Sequence, residues 1–225
     1  MSNVLDRFNR ANTNDTGNGA LGTADTGQAW TVPAAGWRWG IVDDKAGRPN
    51  GPTDQAVAWI DAGESDVLVE ATLMGEGGGY IGIIARATDT NNYLLMQCQI
   101  GSATYAYTRY GGVFNGLPGA PPPGAPAYGD RVGILTKGLT VSFHRNGVYG
   151  PIQNLAGNPP VAHVNATKHG LYMYSAGANR LEDFSVKTPE KTYVGAAWQK
   201  HYAKAWDGTT WIRRAVRRYD GANWK

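Results

Sequence analysis

Three carboxylates lying close together in the sequence are the strongest candidates for acid–base chemistry. Glu64, Asp66 and Glu70 lie at the start of a segment in which apolar and polar residues alternate. Retaining hydrolysis of a glycosidic bond needs two carboxyl groups about 5 Å apart. On an extended strand, Glu64 and Glu70 are separated by about 20 Å at ~3.3 Å per residue. The spacing therefore argues against a hydrolase that uses these residues, and we expect a protein that is not an enzyme.

The other reactive side chains predict no metal or cofactor site. The four histidines show neither i, i+4 pairing nor the spacing of cysteine-containing zinc sites. Cys98 is the single cysteine and lies in an apolar strand pattern, which is typical of a buried, unreactive thiol. Asp43-Asp44 and the Asp89, Asn91, Asn92 turn offer oxygen ligands for Ca²⁺, but Asx-rich turns are commoner than calcium sites. We expect no cofactor, with calcium at one of these turns as the alternative.

Aromatic residues offer a non-catalytic alternative. A sugar-binding site needs flat aromatic faces with a few fixed polar groups beside them. The candidate residues on one sheet face are Trp37, Trp39, Tyr80, Arg86, Tyr105 and Tyr107. Trp and Tyr also close the cores of β-sandwiches, so the sequence leaves both interpretations open.

The elements that carry these residues are strands. Between Asp66 and Ile100, three alternating segments are separated by Glu76–Gly79 and by residues 89–92, which have the composition of turns. Short connections leave no room for a crossover helix, so we predict a three-stranded antiparallel meander. We also predict a surface loop over residues 117–126, where five prolines lack amide donors, and a hairpin turn at Asn146-Gly147.

Composition favours an all-β protein. The chain has 225 residues, of which 31 are glycine, 12 are proline and 17% are charged, as expected for many short strands and turns. No apolar residues recur at helical spacing, and no apolar stretch is long enough to span a membrane. The N-terminal residues MSNVLDRFNR lack the apolar segment of a secretion signal.

Several motifs carry a family resemblance. The segments DRFNRAN, LGTADTGQAW, WRWGIV and YIGIIARATDTNNYLL, continued by DRVGILTKGLTVSFHRNGVYG and HGLYMYSAGANRLEDFSVK, resemble a concanavalin-like (laminin-G-like) jelly-roll domain over residues 1–188. The resemblance implies an antiparallel sandwich in which VLDRFN and LEDFSVK pair. Such domains recur in bacteriophage minor tail proteins and in carbohydrate-binding modules. Members of laminarinase type carry E-x-D-x-E or E-x-D-x-x-E, and the spacing from Glu64 to Glu70 is one residue longer.

Residues 189–225 differ in composition from this domain. From Lys187 onward nine Lys or Arg residues stand against three Asp or Glu, whereas the preceding residues carry twelve against fifteen. The motif WDGTTW at 206–211 returns thirteen residues later as YDGANW at 219–224, and each Asp-Gly predicts a hairpin turn. Some forty residues bury too little surface to fold alone. We therefore predict a short, aromatic, basic β-hairpin extension that serves anchoring or oligomerisation.

The extension holds the predicted interface residues. Trp, Tyr and Arg are enriched in protein interfaces, and the candidates are Trp206, Trp211, Arg213, Arg214, Arg217, Tyr219 and Trp224. We expect no nucleic-acid binding, because strand alternation divides neighbouring arginines between two faces. This aromatic-Asp-Gly motif also resembles C-terminal segments of phage tail and baseplate proteins.

The leading hypothesis is a bacteriophage virion component, a minor tail or tail-tip protein assembled in the host cytoplasm. Its partners would be other virion proteins and, through the jelly roll, host cell-wall polysaccharide. Homo-oligomers, often trimers, are frequent in such assemblies. One alternative is a carbohydrate-binding or glycoside-hydrolase-like module of a bacterial cell-wall enzyme. Another is a purely structural decoration protein.

Overall fold

The computed structural model describes residues 3–13, 21–34, 37–47, 55–75, 78–156, 163–175 and 179–188, together with the backbone of four further strands between 190 and 213. The chain divides into two units, Met1–Lys187 and Thr188–Lys225. Within the described residues there is no helix that is both long and apolar enough to cross a membrane.

The described residues of the first unit form fifteen strands. In chain order they are β1 (Val4–Asp6), β2 (Gly40–Val42), β3 (Lys45–Gly47), β4 (Ala56–Asp61), β5 (Leu68–Met74), β6 (Tyr80–Asp89), β7 (Asn92–Gln99), β8 (Ala103–Tyr110), β9 (Val113–Gly116), β10 (Arg131–Lys137), β11 (Thr140–Arg145), β12 (Val148–Tyr149), β13 (Gln153–Asn154), β14 (Lys168–Tyr174) and β15 (Arg180–Lys187).

These strands form two antiparallel sheets. The first has the order β12-β11-β10-β5-β15-β3-β2, with β1 added on β15 and β13 on β11. The second has the order β4-β14-β6-β7-β8-β9. The predicted pairing of the first and last strands is confirmed, because Val4 of β1 lies opposite Val186 of β15.

The predicted three-stranded meander is wrong in one connection. Strands β6 and β7 pair as expected, but β5 pairs with β10 and β15 in the other sheet. Alternation shows only that β5 and β6 each have an apolar face. Those faces can be buried when the two strands lie in one sheet, and they can equally be buried when the strands lie in two sheets that pack face to face. In this chain β5 and β6 lie in different sheets, so the connection between residues 74 and 80 joins one sheet to the other.

The core lies between the two sheets. Val69, Ala71 and Leu73 of β5 and the alternating residues Ile81 and Ile83 of β6 are fully buried in one cluster. Burial of each large aliphatic side chain contributes roughly 1.5–3 kcal/mol, so this interior supplies most of the stabilisation. The second sheet consequently has a core face and an outer face, and the outer face carries every other residue of its strands.

Two predicted connections are confirmed. Asn146 and Gly147 have φ angles of 51° and 79°, the left-handed conformation that a two-residue hairpin requires. Residues 117–126 form an ordered surface loop, in which Arg145 donates hydrogen bonds to the carbonyls of Pro123 (2.5 Å) and Gly124 (2.6 Å). Leu117 at its start is buried in the core and fixes the loop on the sandwich.

The described strands of the second unit pair as two hairpins. They comprise β16 (Glu190–Val194) with β17 (Ala197–His201) and β18 (Lys204–Trp206) with β19 (Trp211–Arg213). Trp206 pairs with Trp211, whereas Asp207 and Gly208, where the sequence predicts a hairpin turn, lie outside the described residues. Among the predicted interface residues, Trp206, Trp211 and Arg213 belong to these strands. The remaining four, Arg214, Arg217, Tyr219 and Trp224, lie outside the described residues.

Candidate functional site

The outer face of the second sheet carries a continuous row of five aromatic rings, which we call the aromatic row. Its members are Tyr174 of β14, Tyr80 of β6, Tyr105 and Tyr107 of β8, and Phe114 of β9. Successive ring centroids are 6.0, 6.3, 6.2 and 5.5 Å apart in that order. The rings therefore run across the strands as far as the edge strand β9.

The aromatic row is accessible to a ligand. Tyr174, Tyr105 and Phe114 are 43%, 37% and 39% exposed, and Tyr80 and Tyr107 are half-buried against the residues beneath them. Partial burial raises the pKa of Tyr107, so its phenol remains neutral near pH 7. Exposed, neutral rings held in fixed positions are the surfaces on which sugar rings stack.

Polar side chains lie next to the aromatic row on the same face of the sheet. The register places Tyr172, Gly82, Gln97 and Tyr105 side by side across four strands. Gln97 Nε2 donates a hydrogen bond of 3.1 Å to the hydroxyl of Tyr172, and burial raises the pKa of Tyr172.

The strands beneath the row approach each other closely at Gly82. A Cβ at Gly82 would lie 1.9 Å from the carbonyl oxygen of Met96. Glycine is therefore required where the adjacent strand approaches this closely.

A fixed cation stands at the β9 end of the row. Arg109 Nη1 donates to the hydroxyl of Tyr93 (2.9 Å), and its guanidinium carbon lies 4.8 Å from the ring centroid of Phe114. The Tyr93 hydroxyl also accepts a bond of 2.6 Å from Gln55 Nε2. Burial raises the pKa of Tyr93 to about 12, so this hydroxyl keeps its proton and holds Arg109 in place.

The structure brings together three of the six residues that the sequence proposed for this face, namely Tyr80, Tyr105 and Tyr107. Trp37 is half-buried and packs against the core as well as the residues beneath the row. Trp39 is not on the face: it is fully buried in the core with Ile41. Alternation places Trp39 and Ile41 on the same side of the chain, and this side faces the core.

Arg86 is also absent from the face, which corrects its assignment. The pairing of β6 with β7 shifts register between Ala85 and Asp89, and Arg86 has a φ of 53°. This bulge reverses the simple alternation and buries Arg86 completely. Its guanidinium donates to Ser65 O (3.0 Å), Gly138 O (2.7 Å) and Asp66 Oδ1 (2.9 Å), so it is a structural clamp.

Sequence reasoning missed four residues of the site. Tyr174 and Phe114 complete the row, while Gln97 and Arg109 supply polar groups. Alternation along β7 places Gln97 on the same side as Tyr93. Alternation along β8 places Arg109 on the same side as Tyr107. What alternation does not give is the register of β14 and β9 against their neighbours, and that register creates the row.

The carboxylates singled out in the sequence lie elsewhere. Glu70 occupies the outer side of the first sheet, where its carboxylate bonds Lys187 and lies 3.3 Å from His144 Nε2. Burial alone would raise the pKa of Glu70, but His144, Lys187 and Arg131 lower it to about 2. Such a group is fully ionised at neutral pH and is unsuited to general-acid catalysis. The expectation that the protein is not an enzyme stays a prediction.

One of the two candidate calcium turns, the turn at Asp89, is closed by hydrogen bonds within the chain itself. Asp89 accepts hydrogen bonds from the backbone of Asn91 (2.7 Å) and from Asn92 Nδ2 (2.8 Å), which is an Asx turn. The described residues contain no group of three or more His, Cys, Asp or Glu side chains able to hold a metal. Calcium binding stays a prediction.

The fold and this face define an antiparallel, concanavalin-like β-sandwich with an aromatic outer surface. No family model matches the chain, and no curated protein matches it in sequence. Among solved structures, a carbohydrate-binding module, CBM66 from Bacillus subtilis, is similar, with a TM-score of 0.56 and 12% identity. The alignment covers 71% of this chain and 95% of that one.

Two further structures share the fold. A structure described with endo-acting O-glycanases of the human gut microbiota has a TM-score of 0.53 and 11% identity over 81% of this chain and 96% of that chain. The GH43 protein BlXynB from Bacillus licheniformis has a TM-score of 0.50 and 13% identity over 81% of this chain, which spans 38% of that protein. At these identities the likeness establishes the sandwich fold alone, and the predicted jelly-roll class is confirmed.

Proposed function

We propose that this protein is a carbohydrate-binding module that binds a glycan chain along the aromatic row without cleaving it. The observation that carries the proposal is the row itself: five rings at stacking distance from one another on one accessible sheet face. A continuous row fits an extended segment of several sugar units better than a single chain end. Gln97 and Arg109 would supply hydrogen bonds that fix the orientation of the sugars.

The solved structures support this function by analogy of fold. One of the similar structures is a carbohydrate-binding module and two come from descriptions of glycan-degrading proteins. A shared fold raises the expectation of a shared function without establishing it, since sites are grafted on folds. The aromatic row is the independent observation in this chain.

The virion hypothesis has less support. No similar structure cited above is described as a phage protein, and the described residues do not distinguish a tail component from a module of a cell-wall enzyme. Glycan binding is common to both hypotheses. A minor tail protein that contacts host polysaccharide therefore stays a prediction, as do virion partners, homo-oligomers and cytoplasmic assembly.

Affinity gel electrophoresis of the full chain tests the proposal. The gels contain arabinoxylan, mucin glycans or purified bacterial cell-wall polysaccharide, and migration is compared with a polymer-free gel. We expect retardation in at least one gel and a loss of about fivefold in affinity for Tyr105→Ala, because each stacked ring contributes on the order of 1 kcal/mol.

Tyr128→Ala is the matched control. Tyr128 is 61% exposed but lies outside the aromatic row, in the connection before β10. Its substitution should leave retardation unchanged. Equal losses for both variants, or no retardation in any gel, would refute glycan binding by the row.

A further inference from the structure

Arg109 lies on the same face of the second sheet as the aromatic row, and four contacts hold its guanidinium in place. Nε donates a hydrogen bond to the carbonyl of Gly112 (3.3 Å), and Nη1 donates to the hydroxyl of Tyr93 (2.9 Å). The guanidinium carbon lies 5.5 Å from the ring centroid of Tyr93 and 4.8 Å from that of Phe114. A side chain ordered in this way loses little further entropy when it binds a ligand.

Part of this guanidinium has no acceptor in the protein. A guanidinium has five N–H donors, and the bonds to Gly112 and Tyr93 use two of them. Among the residues that the structure describes, none accepts a hydrogen bond from Nη2. Arg109 is half-buried rather than enclosed, so a ligand on this face has access to it.

The positive charge of Arg109 is also uncompensated. The described strands of the second sheet contain five Asp, Glu, Lys or Arg residues, namely Asp61, Arg86, Asp89, Arg109 and Lys168. Arg86 forms an ion pair of 2.9 Å with Asp66. Asp61 lies opposite Lys168 across β4 and β14. Asp89 accepts hydrogen bonds from the residues of its own turn. Arg109 is the remaining charge.

Other arginines of the sandwich differ from Arg109 in having a carboxylate partner. Five of them lie within 4 Å of an Asp or Glu oxygen, and these are Arg7, Arg10, Arg86, Arg131 and Arg145. In the described part of the chain, no carboxylate lies within that distance of Arg109. Its neighbours are two aromatic rings, a phenol and a backbone carbonyl. Such neutral partners leave the charge available to an anionic ligand.

We propose that the aromatic row binds an acidic glycan and that Arg109 binds the carboxylate of one of its sugars. This inference rests on the function proposed above and names the class of glycan. Tyr107 and Arg109 are two positions apart on β8, so their side chains leave the same face about 7 Å apart. A sugar ring stacked on Tyr107 therefore places a carboxylate at its edge close to Arg109. The N–H groups of a guanidinium match the two oxygens of a carboxylate, and charge-assisted bonds are stronger than bonds to a neutral hydroxyl.

The same face fits a nucleic acid less well. Aromatic rings also stack on the bases of single strands, but proteins that bind them use a positively charged groove to follow the backbone phosphates. The described strands of the second sheet hold three Lys or Arg residues against two Asp residues. One uncompensated cation beside five rings suits a glycan in which acidic sugars are spaced among neutral ones.

Affinity gel electrophoresis with acidic polymers and their carboxyl-reduced forms tests this inference. Hyaluronan, mucin glycans and bacterial cell-wall polysaccharide are the probes, each used before and after chemical reduction of its carboxyl groups to alcohols. We expect the full chain to bind at least one native polymer about tenfold more tightly than its reduced form, because hydrogen bonds to charged groups are the stronger ones. R109Q should lose most of that preference. R109K should keep part of it, since an ammonium retains the charge without the planar N–H geometry.

K137Q is the matched control. It removes the same charge from an exposed side chain at the end of β10 in the first sheet. The preference for the native polymer should be unchanged in this variant, including any contribution from the basic C-terminal residues. Equal losses in R109Q and K137Q would overturn the inference. So would an R109Q loss that is as large for the reduced polymer as for the native one.

Failure of this inference is distinguishable from failure of the proposed function. Equal binding of native and reduced polymers would overturn acid recognition alone, whereas no binding of any polymer would refute glycan binding by the row. Tyr105→Ala should weaken both forms by a similar factor, because it removes a stacking surface and no charge. Tighter binding of oligothymidylate that R109Q abolishes would overturn the inference in favour of a nucleic acid.

Discussion

At the scale of single residues, Arg86 and His169 show why a strand residue with a chemically active side chain need not belong to a site. His169 is fully buried, with Nδ1 accepting a bond of 3.2 Å from the Arg86 amide and Nε2 lying 2.8 Å from the Glu64 carbonyl. These partners fit a neutral ring with its proton on Nε2. Arg86 and His169 thus tie β6 and β14 to the 64–66 and 137–139 connections.

Replacement of Arg86 by Gln should destabilise the sandwich. Three bonds from one buried guanidinium would be lost, and breaking a buried, hydrogen-bonded pair costs on the order of 3 kcal/mol. Urea unfolding measures the loss. Arg7→Gln is the control, because it removes an ion pair to Asp25 from a largely exposed side chain. If the two variants unfold at the same urea concentration, Arg86 is not a structural clamp.

Stability should fall as the pH drops from 6.5 towards 4 because of His169. Burial lowers the pKa of His169 from 6.5 to about 4, so the unfolded chain takes up a proton in this range while the folded chain does not. The stabilisation is complete above pH 6.5 and is lost as the pH falls, by about 3 kcal/mol in total. Burial lowers the pKa of His163 in the same direction.

Unfolding free energies measured across this pH range check the prediction. Glu70, with its pKa lowered to about 2, loses its contribution only below pH 4.5 and does not interfere. A His169→Asn variant should show a shallower pH dependence than the wild-type chain. A slope unaltered by that substitution would contradict the assignment to His169.

At the scale of elements, the site depends on strand register. Tyr174 meets Tyr80 because β14 pairs with β6, and Tyr107 meets Phe114 because β8 pairs with β9. Short hairpins fix the β8–β9 register, whereas β14 reaches β6 from far along the chain. A change of one residue in that pairing would move Tyr174 off the row.

Gly82→Ala should disturb this register. The added Cβ would lie 1.9 Å from the Met96 carbonyl oxygen, so β6 and β7 must separate, at a cost on the order of 2 kcal/mol. Gly116→Ala on β9 is the control, since its Cβ would meet open space. Thermal unfolding of both variants provides the measurement, and equal midpoints would show that β6 and β7 tolerate a side chain here.

Much of the fold follows from the sequence, because alternation and turn chemistry are local. The strands around Asn146-Gly147 and the turn at Asp89 are of this kind. The route from β5 to β6 is not local: it depends on which apolar faces meet across the core. The bulge at Arg86 breaks alternation without a glycine or proline to announce it, which is why Arg86 was assigned to the wrong side.

At the scale of the whole molecule, the chain divides into two units. The sandwich unit, Met1–Lys187, contains the core and the aromatic row, and the described strands of the unit Thr188–Lys225 form two hairpins. A chain of residues 1–188 should therefore fold by itself. Its affinity for a neutral glycan should lie within about twofold of the affinity of the full chain, as expected for independent units. Circular dichroism and gel retardation of the shortened chain measure both properties. Loss of the β-sheet signal or of retardation on truncation would show that the units are not independent.

The most direct test of the central claim is residue-resolved nuclear magnetic resonance during titration with oligosaccharides cut from the polysaccharide that the full chain retains best. Binding along the aromatic row predicts saturable shift changes at Tyr80, Tyr105, Tyr107, Phe114 and Tyr174. Amides near Glu70 and His144 on the outer side of the opposite sheet should not shift. Shift changes confined to that opposite sheet or to residues after Thr188 would contradict the account.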